Sequence, residues 1–128
     1  MTFQLPESTI QQTIISYLSA MALRYHFIFF SVPNEGIMTV LMAHKVPKLE
    51  CVKIVSYFKK MGLLPGVSDI IIGYQGKMYC MEVKDHKGTQ SKAQVIFENN
   101  AGKTGIPYEL VRSVEDADRV MRGWGIVK

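Results

Sequence analysis

The pattern of apolar residues along this 128-residue chain predicts an α/β domain in which a mixed sheet is flanked by helices. Three observations carry that expectation. Stripes at three- and four-residue spacing alternate with short apolar runs of strand length. The densest β-branched run lies in a hairpin pattern between Gly66 and Lys84, and no repeat, low-complexity tract or linker divides the chain. The predicted order is helix, strand, basic helix, hairpin, helix, strand, helix.

Ile10, Ile14, Leu18, Met21 and Tyr25 form one stripe and predict a helix over residues 8–25. Ser8 with Gln11 has capping-box spacing, and Pro6 offers a second way to start the helix. Either start leaves Glu7 at the N-terminal end, where a negative charge is favoured by the helix dipole. Phe27 to Val32 is a strand-length apolar run closed by Pro33, Asn34, Glu35 and Gly36, a turn signal. Residues 37–44 fit a strand, a short helix or a partner-facing surface. From Lys48 to Met61 the spacing is helical again, with Cys51, Ile54, Val55 and Phe58 on one side and Gly62 as the stop.

The hairpin follows. Ile70, Ile71 and Ile72 predict a strand covered on both faces, and Gln75-Gly76 turns the chain. In the second strand Tyr79, Met81 and Val83 alternate with Cys80, Glu82 and Lys84, so Glu82 and Lys84 share a face. A carboxylate and an amine on a packed strand are costly unless something engages them. A Glu82–Lys84 ion pair would serve, but with Asp69 at the start of the first strand a divalent-metal site accounts for all three residues. Two carboxylates supply hard oxygen ligands, and the ammonium can hold a water or phosphate beside the ion.

Asp85 to Gln90 reads as a polar loop in which His86 is solvated. Ser91 and Gln94 have capping-box spacing at the start of a helix that passes through Phe97 and Ala101 to the break at Gly102–Gly105. Residues 106–111 form a last strand, with Pro107 near its start. Ser113 caps a final helix whose apolar side carries Val114, Ala117, Val120, Met121 and Trp124.

Fifteen Lys and Arg against eleven Asp and Glu leave a net charge of +4, which suits a polyanionic partner. The lysines are uneven: Lys45, Lys48, Lys53, Lys59 and Lys60 face only Glu50 between residues 45 and 60. Lys59 and Lys60 precede Asp69 closely enough to favour phosphate contact there. Cys51 and Cys80 lack metal-ligand spacing and read as free core thiols. Neither a charged leader nor an 18-residue apolar segment is present, so the expectation is a cytoplasmic protein that is neither secreted nor membrane-bound.

Asp69, an apolar hairpin and Glu82-Val83-Lys84 resemble the PD-(D/E)XK nuclease signature. The extended order is more specific: Glu7 in an opening helix, Gly66 to Asp69, Glu82 to Lys84, Lys87-Gly88, Ser91 to Gln94, and Gly105-Ile106-Pro107. It resembles the virus-type replication-repair nuclease (VRR-NUC) domain over nearly the whole chain, in a stand-alone, phage-like form. Ser68 stands where many members have Pro, a residue that shapes the turn and is not a ligand. The resemblance implies a restriction-endonuclease-like αβββαβ core with an inserted basic helix and a C-terminal helix. It also implies a metal-dependent endonuclease that cuts branched DNA such as Holliday junctions as a homodimer. Asp69, Glu82, Glu7 and the Val83 backbone carbonyl would hold Mg²⁺ or Mn²⁺; Lys84 and Gln94 would complete the catalytic set; Lys59, Lys60, Lys87, Lys92 and Asn34 would touch nucleic acid. The alternatives are a silent DNA-binding dimer with the same fold, or a restriction-type or flap nuclease without junction preference.

Overall fold

The computed structural model describes residues 4–33 and 36–128. Its elements are α1 (Glu7–Tyr25), β1 (Ile28–Ser31), α2 (Gly36–Ala43), α3 (Lys48–Lys60), β2 (Ile70–Tyr74), β3 (Lys77–Val83), α4 (Lys92–Lys103), β4 (Tyr108–Val111) and α5 (Val114–Gly123). The strands form one mixed sheet in the order β1-β2-β3-β4, antiparallel at the first two pairings and parallel between β3 and β4. The expected α/β class with a mixed sheet flanked by helices is therefore present.

Strand alternation divides the sheet into two unlike faces. Ile70, Ile72, Tyr79, Met81, Val83 and Val111 join Ile10, Ile14 and Leu18 of α1 and Ala117, Val120 and Met121 of α5 in a single apolar cluster. Trp124 packs on its edge, 5.0 Å from the Tyr79 ring centre. The opposite face carries Ile71, Cys80, Glu82 and Lys84, with α4 lying over its β3–β4 half. Cys51 and Cys80 are free and buried, as expected.

Several sequence expectations change in detail. Helix α1 begins at Glu7 with Pro6 as its N-cap, so the Ser8–Gln11 box does not form. Pro6, at φ −60°, supplies the carbonyl that accepts from the Thr9 and Ile10 amides, leaving no role for a serine cap one residue later. The first strand is shorter than 27–32. Residues 37–44 fall largely in helix α2, whose backbone, among the described elements, comes close only to that of α3. The hairpin turn has φ of 48° at Gln75 and 76° at Gly76, the double left-handed geometry that matches the twist of two antiparallel strands.

Gly66 brings the α3–β2 connection against the first turn of α4. At φ 81° it is left-handed, and a methyl group on its Cα would run into the Ala93 carbonyl and lie 2.7 Å from the Gln94 nitrogen. At the far end of the core, Tyr17 Oη donates to Asp118 Oδ1 at 2.7 Å and Arg122 Nε donates to Asp118 Oδ2 at 2.9 Å, tying α5 to α1. The Arg122 hydrogen bond, followed by that from Tyr17, holds the Asp118 carboxyl below the ordinary carboxylate range.

Two outcomes follow for stability. Gly66→Ala combines a left-handed φ with a backbone clash and should cost about 2–4 kcal/mol, read as a lowered urea midpoint at unchanged m. Folding lowers the Asp118 pKa, so its contribution is complete above the unfolded carboxylate value and is lost as pH falls through the folded one. Asp118→Asn should therefore be less stable than wild type near neutrality, with the gap in urea midpoint closing on acidification; a gap constant with pH would refute this.

Candidate active site

The β2–β3 hairpin brings its acidic residues together by register. Ile70 pairs with Met81, so one step further Asp69 stands across from Glu82, and facing residues of an antiparallel pair share a face. Lys84 lies two residues beyond Glu82 on that same face. The ladder ends at Ile70, and the Asp69 side chain continues it: Oδ2 accepts from the Val83 amide at 2.8 Å. Asp69 thus gives one oxygen to the sheet. The Val83 carbonyl points to the same side of β3 as its amide, toward Asp69.

Glu82 is fully buried. Gln94 Nε2 donates to its Oε1 at 2.9 Å, and Tyr108 Oη reaches its Oε2 at 3.5 Å. Gln94 forms the capping box that its spacing predicts and also reaches Glu82, because its two amide atoms point in different directions. Oε1 accepts from the Ser91 amide at 2.8 Å and closes the capping box, while Nε2 faces the carboxylate. The helix start and the site are therefore built from one side chain.

Tyr108 was not singled out by sequence. It enters because β4 runs parallel to β3 with Tyr108 opposite Cys80, a pairing that no local pattern announces. Gln90 Nε2 donates to Tyr108 Oη at 3.1 Å and to Glu98 Oε1 at 2.9 Å, which holds the phenol in place. Burial first, and then the Glu82 charge, push the Tyr108 pKa upward, so the phenol stays protonated and able to donate. Burial is also the main cause of the raised Cys80 thiol pKa; Ser68 offsets part of it and Glu82 adds to it.

Lys84 is buried, only 7% exposed, with its aliphatic stem pressed close to Gly88. Arg112 Nη1 donates to the Asp85 and Gly88 carbonyls at 2.6 and 2.9 Å and so clamps the loop that leaves Lys84. Glu7 is half-buried at the first turn of α1, and Gln4 to Pro6 just before it share a cleft with Asp85, His86 and Lys87. His86 is exposed. Lys87 and Lys92 are exposed on the loop and first turn of α4, beyond the buried site. Lys59 and Lys60 are exposed at the end of α3, whose backbone, among the described helices and strands, comes close only to that of α2. Asn34 and Glu35 lie outside the described residues.

The paired carboxylates and the backbone carbonyl form an all-oxygen set, suited to Mg²⁺ or Mn²⁺ and not to zinc. Among the described residues no three His, Cys, Asp or Glu gather as a metal-holding group. The carbonyl and water would have to complete the coordination shell. Compared with known proteins, the chain matches no family model, no curated protein and no solved structure.

Gln94→Leu removes the donor to Glu82 and the acceptor for Ser91 together. It should destabilise the fold by about 2–3 kcal/mol in urea denaturation, whereas substitution of exposed Gln12 should leave the midpoint within about 0.5 kcal/mol.

Proposed function

We propose that this protein is a metal-dependent, structure-specific DNA endonuclease of the VRR-NUC kind, acting on branched DNA such as Holliday junctions as a homodimer. The observation that carries the reading is the position of Asp69 one step beyond the Ile70–Met81 pair, bonded to the Val83 amide and so beside the fully buried Glu82, with Lys84 on the Glu82 face. A carboxylate kept out of water beside a second one is an expensive arrangement for a purely structural element. Gln94 and Tyr108 hold the Glu82 oxygens by hydrogen bonds from separate elements, which supports a carboxylate kept in a fixed position.

Asp69, Glu82 and the Val83 carbonyl would hold Mg²⁺ or Mn²⁺, with Glu7 as a further ligand directly or through water. A bound ion would supply Lewis acidity, lowering the pKa of a coordinated water and offsetting charge on the phosphate. The chain's own groups do the rest. Gln94 and Tyr108 fix the Glu82 carboxylate, and the packed stem of Lys84 aims its ammonium at the attacking water or a phosphate oxygen. In the overall reaction water adds to phosphorus, the bond from phosphorus to the leaving sugar oxygen breaks, and that oxygen takes a proton. Lys59, Lys60, Lys87, Lys92 and Asn34 would contact the phosphate backbone, which sets affinity and not sequence. Among the described residues no helix is long and apolar enough to cross a membrane, which fits a DNA partner without requiring one.

The test is cleavage of labelled duplex, single-strand, flap and four-way-junction DNA in Mg²⁺, Mn²⁺ or EDTA. Paired symmetric junction cuts are expected, abolished by chelation and reduced at least about 100-fold by Glu82→Ala or Lys84→Ala. Ion-dependent cutting without branch preference would remove the junction specificity. Binding of every substrate with no cutting in any ion would replace the enzyme by a silent DNA-binding protein.

A further inference from the structure

The α2–α3 hairpin is apolar where it has least to cover. Gly36 to Ala43 contains no charged residue, yet α2 buries none of its side chains fully, Ile37, Met38 and Leu41 being half-buried, and α3 fully buries only Cys51. Among the described helices and strands, the backbones of these two come close only to each other. Val40, Met42, Leu49, Val52, Tyr57, Phe58 and Met61 are all exposed along this arm, Met61 to 69% and Leu49 to 66%. An uncharged helix does not hold such a surface in water without a partner.

The sheet has a matching gap. Helix α4 covers only the β3–β4 half of its face, so on the β1–β2 half Ile28 is 71% exposed and Phe30 53% exposed. Ile28, Phe30, Ile71, Gly73 and Met78 line a shallow depression of about 480 Å³ there. Met78 also lines the neighbouring depression beside Ile96 of α4, making the two a continuous apolar shelf. β1 is the sheet's edge strand as well, a position that natural proteins ordinarily cover or charge.

We propose that the α2–α3 arm of one copy of this chain packs on the β1–β2 shelf of a second copy, the exchange being repeated by twofold symmetry. One chain offers both an unmatched apolar projection and an unmatched apolar shelf, and a twofold axis uses each surface twice. Large side chains carry on the order of 200 Å² each. Seven on the arm and four on the shelf, each about half exposed, amount to roughly 1,000 Å² per copy, against the ~800 Å² that one partner buries in a standard interface. Nucleic acid is the poorer occupant of the apolar surface on α2: that helix lacks any cation, whereas the arm's Lys48, Lys53, Lys59 and Lys60 all lie on α3, and phosphate recognition runs on cations. The proposal deepens the homodimer in the function proposed above and rests on that part of it alone, independently of cleavage.

Sedimentation velocity at micromolar concentration reads the assembly directly, using the full chain with Tyr57→Glu on the arm and Phe30→Lys on the shelf. Both positions are exposed, and circular dichroism checks folding; Leu49→Glu and Ile28→Lys replace any variant that fails that check. Wild type should sediment as two chains, and each variant alone should associate at least about 30-fold more weakly. An equimolar mixture of the two variants should regain the two-chain species, because each mixed pair retains one intact arm on one intact shelf. A monomeric wild type, a variant that still dimerises by itself, or a mixture that stays monomeric would each overturn the exchange. Loss of the cleavage reading would instead appear as uncut substrates, whatever the sedimentation shows.

Discussion

A carboxylate withdrawn from water governs the centre of this molecule. Glu82 lies at the end of a buried strand, where removing an ionised group from solvent costs several kcal/mol unless its oxygens are engaged. The surrounding elements supply that engagement from separate parts of the chain: Gln94 from the first turn of α4, and Tyr108 from the parallel strand beside β3. Both are neutral donors that hydrogen-bond the carboxylate oxygens. An apolar side chain would suit the packing at least as well.

The hydrogen bonds here do double duty, which makes the site rigid with few residues. Asp69 replaces a missing ladder partner for Val83 with one oxygen, and Gln94 caps a helix with one end while holding Glu82 with the other. Gly66 lets the α3–β2 connection lie against that same helix start. A displacement of α4 would thus be felt at the cap and at Glu82 together, with the Gly66 contact disturbed as well. Such coupling is what a site needs if small misplacements of its groups are costly.

The two sides of the sheet are finished unequally. On one side α1 and α5 close a continuous apolar core and tie it off with the Tyr17–Asp118–Arg122 hydrogen bonds. On the other, α4 stops at half the width of the sheet, while the α2–α3 arm projects with its own apolar residues exposed. The surplus on the arm and the deficit on the shelf are both apolar. The arm also carries Lys48, Lys53, Lys59 and Lys60 on α3, so this lysine-rich segment and the unmatched apolar surface belong to one element pair.

Much of this was legible in the sequence because it depends on local periodicity. The stripe at Ile10, Ile14 and Leu18, the three isoleucines of β2, the Gln75-Gly76 turn and the alternation that sets Glu82 and Lys84 apart from Val83 all follow from side-chain spacing. Residues 37–44 were not decidable, since a short apolar run fits helix or strand until its neighbours are known. The start of α1 depended on whether Pro6 or Ser8 offered the better cap. Tyr108 left no trace, because its place beside Glu82 comes from a parallel pairing across a helix and two loops. By itself, then, the sequence determined the elements other than α2, the two faces of the hairpin and the residue types present on them. Only the tertiary structure decided which donors hold Glu82, that Gln94 serves the helix and the carboxylate at once, and that the α2–α3 arm stands clear of the sheet. Spacing is a property of neighbours along the chain, whereas those arrangements are chosen by which distant surfaces can be buried together.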